Sequence, residues 1–284
     1  RMCRFFIYKG QKLKLNYLFE PNNSILKQSM HIPFTPFVDE INCRDHGING
    51  DGFGICWEKD KKIYFYKSSN PPWNDVNISN LSDYVESNLF LCHIRAIKAF
   101  SDGSCVHEHN CHPFIYKNLS WMHNGNIKNK ALLCKYLYQN CETNLLQNIR
   151  GNTDSEYCFY IFINLLQKKN IDIDNIDENI LVNTMIECID IIINMSKDVV
   201  SLNFCVYDGK TIICTRFINT NNENPPSLYY TNNFKINQEY NQNIIISSEP
   251  ISKKESDWKL VPKNNSLILN SENKIKIKKL KVTS

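Results

Sequence analysis

Apolar and polar positions alternate along CRFFIYK at residues 3–9, then give way to NNSILKQSMH, where Asn and Ser precede apolar residues three to four apart. A period of two sends successive side chains to opposite faces of a strand, and a period near 3.6 lines them along one helix face. The first stretch is therefore predicted as a strand and the second as a short capped helix. NGDGFG is a glycine-rich turn leading into GICWEKD and KKIYFYKS, two predicted strands with β-branched and aromatic content. NISNLSDYVES reads as a helix, NLFLCHIRAI as a buried strand, and LSWMHNGNI as a strand closing in an Asn-Gly turn.

From about residue 128 to 200 the period lengthens. KNKALLCKYLYQNC, SEYCFYIFINLLQKK and ENILVNTMIECIDIIINM repeat apolar residues every three or four positions and are predicted as helices with buried faces. LNFCVYDGKTIICTRF then sets Asp208-Gly209 between two alternating runs, the signature of a hairpin. Strands return in SLYYTN, QNIIISSEP and the tail KIKIKKLKV, whose alternating lysines suit an edge strand guarded against further pairing. Strands, then helices, then strands again suit a layered α+β fold, with sheets from the two ends of the chain packed between helical layers. There is no internal repeat, and NTNNENPP at 219–226 is too short for a domain linker, so a single domain over residues 2–284 is expected.

Composition narrows the partners. With 33 basic against 29 acidic residues, the formal charge of +4 makes no case for nucleic acid or an anionic membrane. The longest apolar stretches, CFYIFINLL and CIDIIIN, fall well short of the roughly twenty residues that span a bilayer. No basic, apolar and small-residue sequence marks export, so a cytoplasmic protein is expected. Twelve cysteines without paired spacings read as reduced thiols, most of them packed as small hydrophobes.

Cys3 is the first candidate for chemistry. Were Met2 a translational start that is then removed, Cys3 would carry a thiol and a free α-amine on one residue, a nucleophile with its own base; otherwise it is a packed thiol on a strand. Arg95, in an otherwise apolar run, is either a carboxylate-binding fork or half of a buried ion pair with a partner such as Asp51. Asn124-Gly125 is either a turn or a pair of hydrogen-bond donors, and Asp154 either binds a ligand or caps the helix it precedes. Asp51 and the glycines around it also fit a tight turn.

MCRF, NGDGFG, PPWND, HIRA, NCHPF, MHNG, TDSE and SSEP occur in this order, and together they resemble the class II glutamine amidotransferases, which are N-terminal-nucleophile hydrolases. The likeness runs from residue 2 to about 262 and is nearest to the stand-alone branch that includes a γ-glutamyl-hydrolysing subunit of a glutathione-degrading complex. It implies a four-layer αββα sandwich of two mainly antiparallel sheets between helical layers. It also implies an enzyme without a cofactor that hydrolyses a γ-glutamyl amide, glutamine or glutathione, through a γ-glutamyl thioester. Cys3 would be the nucleophile, with Asn124 (side-chain amide) and Gly125 (backbone N–H) as the oxyanion hole. Arg95 would hold the substrate α-carboxylate and Asp154 its α-ammonium, with Asn49, Asp51, His93 and His112 supporting the pocket. The implied partners are the small γ-glutamyl substrate and a peptidase or acceptor subunit, because no stretch resembles an ammonia-consuming synthase domain.

Two departures stand out. Arg1 precedes Met2, reading as an upstream or cloning remnant; if both residues stay attached, the nitrogen of Cys3 is a peptide nitrogen, which would suit a non-catalytic scaffold that keeps the fold. The small hydroxyl residue that relatives carry shortly after the arginine is replaced in HIRAIKAF, where Lys98 would supply a charge to the same carboxylate. Elsewhere, CVHEHNCH either spaces Cys105, His107, His109 and Cys111 on one face of a strand, a candidate zinc set, or forms a polar loop with solvated histidines; no metal is the expectation. Trp73 of PPWND and Trp258 are predicted packing anchors.

Overall fold

A computed structural model describes residues 3–30, 48–97, 105–236 and 243–283. In chain order the elements are β1 (Arg4–Lys14), α1 (Asn16–Phe19), α2 (Ile25–Gln28), β2 (Phe53–Lys59), β3 (Lys62–Ser68), α3 (Val76–Tyr84), β4 (Glu86–Ile94), β5 (Phe114–Tyr116) and β6 (Leu119–Asn126). Four helices follow, α4 (Lys130–Asn140), α5 (Thr143–Leu146), α6 (Asp154–Lys168) and α7 (Glu178–Met195). The chain then closes with β7 (Ser201–Tyr207), β8 (Ile212–Arg216), β9 (Tyr229–Phe234), β10 (Asn243–Ser247), β11 (Lys259–Leu260), β12 (Asn265–Leu269) and β13 (Ile275–Lys279).

Local chemistry explains the boundaries. The carboxylate of Asp75 accepts from the backbone N–H of Asn77 and Ile78 at 3.0 and 3.1 Å and so starts α3. Asp177 does the same for α7, and Thr153 caps α6 by accepting from Glu156 N–H at 3.2 Å. Between β7 and β8, Asp208 Oδ1 accepts from the N–H groups of Lys210 and Thr211, while Gly209 takes the positive φ of +93° that the turn demands.

The chain divides into two compact units, one built from Arg1–Lys98, Val106–Pro113 and Pro226–Pro262, the other from Ala99–Cys105, Phe114–Pro225 and Lys263–Ser284. The first holds a seven-stranded antiparallel sheet in the order β11-β9-β10-β1-β4-β2-β3. One face of that sheet, with Phe6, Tyr8, Phe53 and Phe90, shares a core with Leu18 of α1, Ile25 of α2 and Ile78 of α3. Phe5, Ile7, Leu91 and His93 on the opposite face are buried as well. With both faces buried, β1 and β4 read as apolar runs rather than as strict alternation.

The second unit holds a six-stranded antiparallel sheet, β13-β12-β8-β7-β6-β5, packed with α4, α6 and α7 around its own core. At the centre of that core Trp121 lies 5.6 Å from Phe159, 5.4 Å from Phe162 and 4.6 Å from Phe204, measured between ring centroids. The protein is thus α+β, with two antiparallel sheets and helices against each. β13 is an edge strand with Lys276 and Lys278 exposed, as its alternation predicts.

Three local expectations change. MHNG does not end in a turn: Asn124 and Gly125 lie within β6, opposite Asn203 and Leu202 of β7. Glycine is required there because a Cβ would run into the carbonyl oxygen of Ser201. CVHEHNCH is not a strand either, since Glu108–Asn110 form a 3-10 turn that buries Cys111 and leaves Cys105, His107 and His109 exposed. Among the described residues no group of three or more His, Cys, Asp or Glu is placed to hold a metal ion. Trp258 is buried as an anchor, but Trp73 is 40% exposed, lying over Gly50.

Trp121→Ala is expected to cost about 3–5 kcal/mol of folding stability by opening the second core. Trp121→Phe should cost much less, because the buried indole N–H has no hydrogen-bond partner among the described residues. Urea unfolding of the two variants measures the difference.

Candidate active site

Three strand ends bring the first group of residues together. Arg4 of β1 pairs with Ile94 of β4, which pairs in turn with Phe53 of β2. Cys3 just before β1, Arg95–Ile97 just after β4 and Asn49–Gly52 just before β2 therefore emerge along one edge of the same sheet. The N–H of Ala96 points at Cys3 Sγ from 3.4 Å, and the thiol lies 3.7 Å from the Ala96 carbonyl oxygen.

Asp51 ties this edge together. Its Oδ2 accepts from Ile97 N–H at 2.7 Å, its own N–H donates to the Arg95 carbonyl at 3.3 Å, and Arg95 N–H donates to Gly52 O at 2.8 Å. Arg95, 4% exposed, reaches the Asp51 carbonyl oxygen with Nη1 at 3.5 Å. Asp51 therefore fixes the main chain that follows Arg95, a role different from the simple ion pair that the sequence offers as an alternative.

The glycines of NGDGFG serve close approach. Gly52 has φ of +107°, and a Cβ on it would strike Cys111 Sγ; a Cβ on Gly54 would overlap the His112 carbonyl oxygen. Cys111 donates to Ser68 O at 3.4 Å, and burial, opposed by the charges of Arg95 and Lys67, pushes its thiol up to about 11. At neutral pH Cys111 is thus a protonated thiol and no rival nucleophile. Asn49, His93 and His112 are buried, with the two imidazoles 3.9 Å apart between centroids. Lys98 lies outside the described residues, as do Arg1 and Met2.

In the second unit β6 and the start of α6 hold another group. Asn124 is fully buried beside Gly125. Asp154 does not cap α6; Thr153 does. The Asp154 carboxylate accepts from Ile127 N–H at 3.2 Å through Oδ2 and from Ser155 N–H at 2.7 Å through Oδ1, and Ser155 Oγ lies 3.2 Å from that same Oδ1. Ser155 Oγ is also 2.9 Å from His123 Nδ1, and His123 Nε2 is 3.2 Å from the Ser201 carbonyl oxygen. Because a carbonyl only accepts, Nε2 carries the hydrogen, and the neutral ring takes the single serine hydroxyl hydrogen at Nδ1. A protonated ring would donate to Ser155 instead and release that hydrogen to Asp154. Sequence reasoning missed His123 and Ser155, although both fall inside MHNG and TDSE.

A family model of the class II glutamine amidotransferases matches residues 22–279. The chain belongs to that family. The match begins downstream of Cys3, so membership does not rest on that residue. Over 95% of its length this amidotransferase is 31% identical to "Probable glutamine amidotransferase DUG3" of Saccharomyces cerevisiae, of which it covers 82%. Among solved structures it is similar to a glutamine aminotransferase class-II domain protein from Silicibacter pomeroyi, with a TM-score of 0.64 and 20% identity over 98% of this chain and 99% of that one. It is also similar to the glutamine phosphoribosylpyrophosphate amidotransferase of B. subtilis, with a TM-score of 0.60 and 14% identity over 99% of this chain. The amidotransferase spans about half of that longer protein, at 50%. These likenesses establish the fold. Among the described residues no helix is long and apolar enough to cross a membrane.

Burial lowers the His123 pKa from its ordinary 6.5, against the opposing pull of Asp154 and the Ser201 hydrogen bond. A base held neutral in the folded state contributes stability above the unfolded pKa and loses it as pH falls through that value toward the folded one. Urea stability is therefore expected to drop as pH falls below the ordinary histidine value of 6.5, and His123→Gln should flatten that part of the profile. An unchanged slope in the variant would exclude His123 as its source.

Proposed function

We propose that this amidotransferase hydrolyses a γ-glutamyl amide, glutamine or glutathione, with Cys3 as nucleophile. The observation that carries this reading is the position of Cys3 at a strand end beside buried Arg95, with the Ala96 N–H directed at its sulfur. Removal of Arg1 and Met2 would expose the α-amine of Cys3, which then accepts the thiol proton, and the thiolate attacks the γ-carbonyl. Ammonia or an amine leaves, and water hydrolyses the γ-glutamyl thioester to glutamate.

The remaining roles follow the family resemblance residue by residue. Asn124 and Gly125 donate to the developing oxyanion, where each well-placed donor contributes about 3–4 kcal/mol in other enzymes. Arg95 and Lys98 hold the α-carboxylate, and Asp154 takes the α-ammonium; Asn49, Asp51, His93 and His112 brace the pocket. Asp154 suits its part because its carboxylate oxygens are already oriented by backbone N–H groups. This recognition grips only the glutamyl half, so glutamine and glutathione both fit. A peptidase or acceptor subunit is the proposed partner, and eleven described cysteines present as thiols favour the reducing cytoplasm.

A protein in which Arg1 and Met2 stay attached motivates a second reading, a non-catalytic scaffold. Intact mass of the protein from its own host separates the two: a chain starting at Cys3 supports the hydrolase, and a retained Arg-Met the scaffold. With processed protein, glutamate release from glutamine or glutathione should vanish in Cys3→Ala. In Asn124→Ala it should fall about a hundredfold or more. Normal turnover by Cys3→Ala would remove the cysteine from the mechanism.

A further inference from the structure

The residue after Cys3 is a buried cation. Arg4 is 2% exposed, and its partner Glu249, from the SSEP turn that follows β10, is fully buried; Arg4 Nε lies 3.8 Å from Glu249 Oε1. The other end of the guanidinium donates through Nη1 to the carbonyl oxygen of Cys3 at 3.0 Å. One side chain thus spans from an acidic anchor to the main chain of the proposed nucleophile.

The anchor itself is built in. Ser227 Oγ lies 2.9 Å from Glu249 Oε1 and 2.7 Å from the Ser248 carbonyl oxygen. Ser248 Oγ accepts from Phe5 N–H at 3.0 Å, and its N–H donates to Phe5 O at 2.9 Å. Gln28 Nε2 holds the Glu249 carbonyl at 3.1 Å. Burying two charges costs several kcal/mol per ion unless they are paired and hydrogen-bonded, so such a pair is weak as a device for stability alone. Its position on the nucleophile suggests another use.

We propose that Arg4 and Glu249 form a positioning pair that fixes the Cys3 main chain and, by the balance of their charges, sets the proton affinity of its α-amine. The proposal rests on the reading of Cys3 as a nucleophile with a free amine. A cation one carbonyl away disfavours the ammonium form, so the amine is a neutral base at lower pH than it would be alone. Glu249 tempers that effect. Arg4 itself is lowered to about 10 by burial, with the Cys3 sulfur pulling the other way, so it stays charged across the working range. Among the described residues, the other ionisable groups around Cys3 are Arg95 and Asp51 at the ends of β4 and β2, His93 on β4, and Cys111 just after the turn at 108–110. All four are the same in every variant below and cancel in the comparison.

The test follows glutamate release by processed protein against pH, reading the acid limb of kcat/KM, which reports the free enzyme. Arg4→Met should move the midpoint of that limb up by about one pH unit, and Glu249→Gln should move it down. Arg4→Lys keeps the charge but loses the fork, so its midpoint should stay while kcat falls about tenfold with KM within about twofold. A midpoint does not depend on how much protein folds, so partial misfolding leaves the readout intact. If Arg4→Met cannot be recovered, Glu249→Gln and Arg4→Lys suffice. Midpoints and kcat equal to those of the parent in both would overturn the proposal, as would shifts of the same sign in Arg4→Met and Glu249→Gln. Cys3→Ala is run beside them: activity surviving in Cys3→Ala defeats the nucleophile reading itself, whereas a Cys3-dependent reaction indifferent to Arg4 and Glu249 defeats only the pair.

Discussion

The antiparallel register between β1 and β4 is the constraint on which the grouping of Cys3, Arg95 and Asp51 depends. Because Arg4 sits opposite Ile94, the residues flanking those two positions, Cys3 and Arg95–Ala96, leave the sheet side by side. A slip by one residue would send every side chain of β1 to the other face, exchanging Phe6 and Tyr8 for Phe5 and Ile7 in the helix-covered core. Core packing therefore enforces the register, and the register delivers the thiol to the Ala96 amide. No residue of the site has to supply that alignment.

The second unit uses strand pairing differently. β6 carries Asn124 and Gly125 against β7, and the absence of a side chain on Gly125 lets the Ser201 carbonyl approach. The same carbonyl takes His123 Nε2, whose other nitrogen meets Ser155 and through it Asp154. A glycine in a strand ordinarily weakens it; here it admits a polar chain that orients the carboxylate at the head of α6. His123 and Ser155 are buried, with half-buried Asp154 and Ser201 at either end of the chain they form across three elements.

Element types were largely readable from periodicity, because buried helices such as α6 and α7 and the Asp208-Gly209 hairpin obey local rules. The failures share a cause. Asn124-Gly125 looks like a turn because a dipeptide cannot announce that a carbonyl eighty residues away will press on it. CVHEHNCH alternates like a strand, yet backbone hydrogen bonds from Asn110 and Cys111 back to His107 and Glu108 fold it into a turn. The family resemblance supplied the site residues in register, but Arg4, Glu249, His123 and Ser155 act through contacts distant in sequence. Only the folded chain displays them.

β1 lies between β4 and β10, and β10 begins at Asn243. During synthesis the strand that follows Cys3 can pair along one edge once β4 has been made, but its other edge stays open until the chain through β10 has left the ribosome. Closing that gap demands a loop of well over a hundred residues, the kind of long-range pairing that slows folding. The SSEP turn that seats Arg4 arrives with the same late segment. A chain truncated anywhere before it would lack that anchor, so the geometry around Cys3 is completed only once β10 and the turn after it have been made.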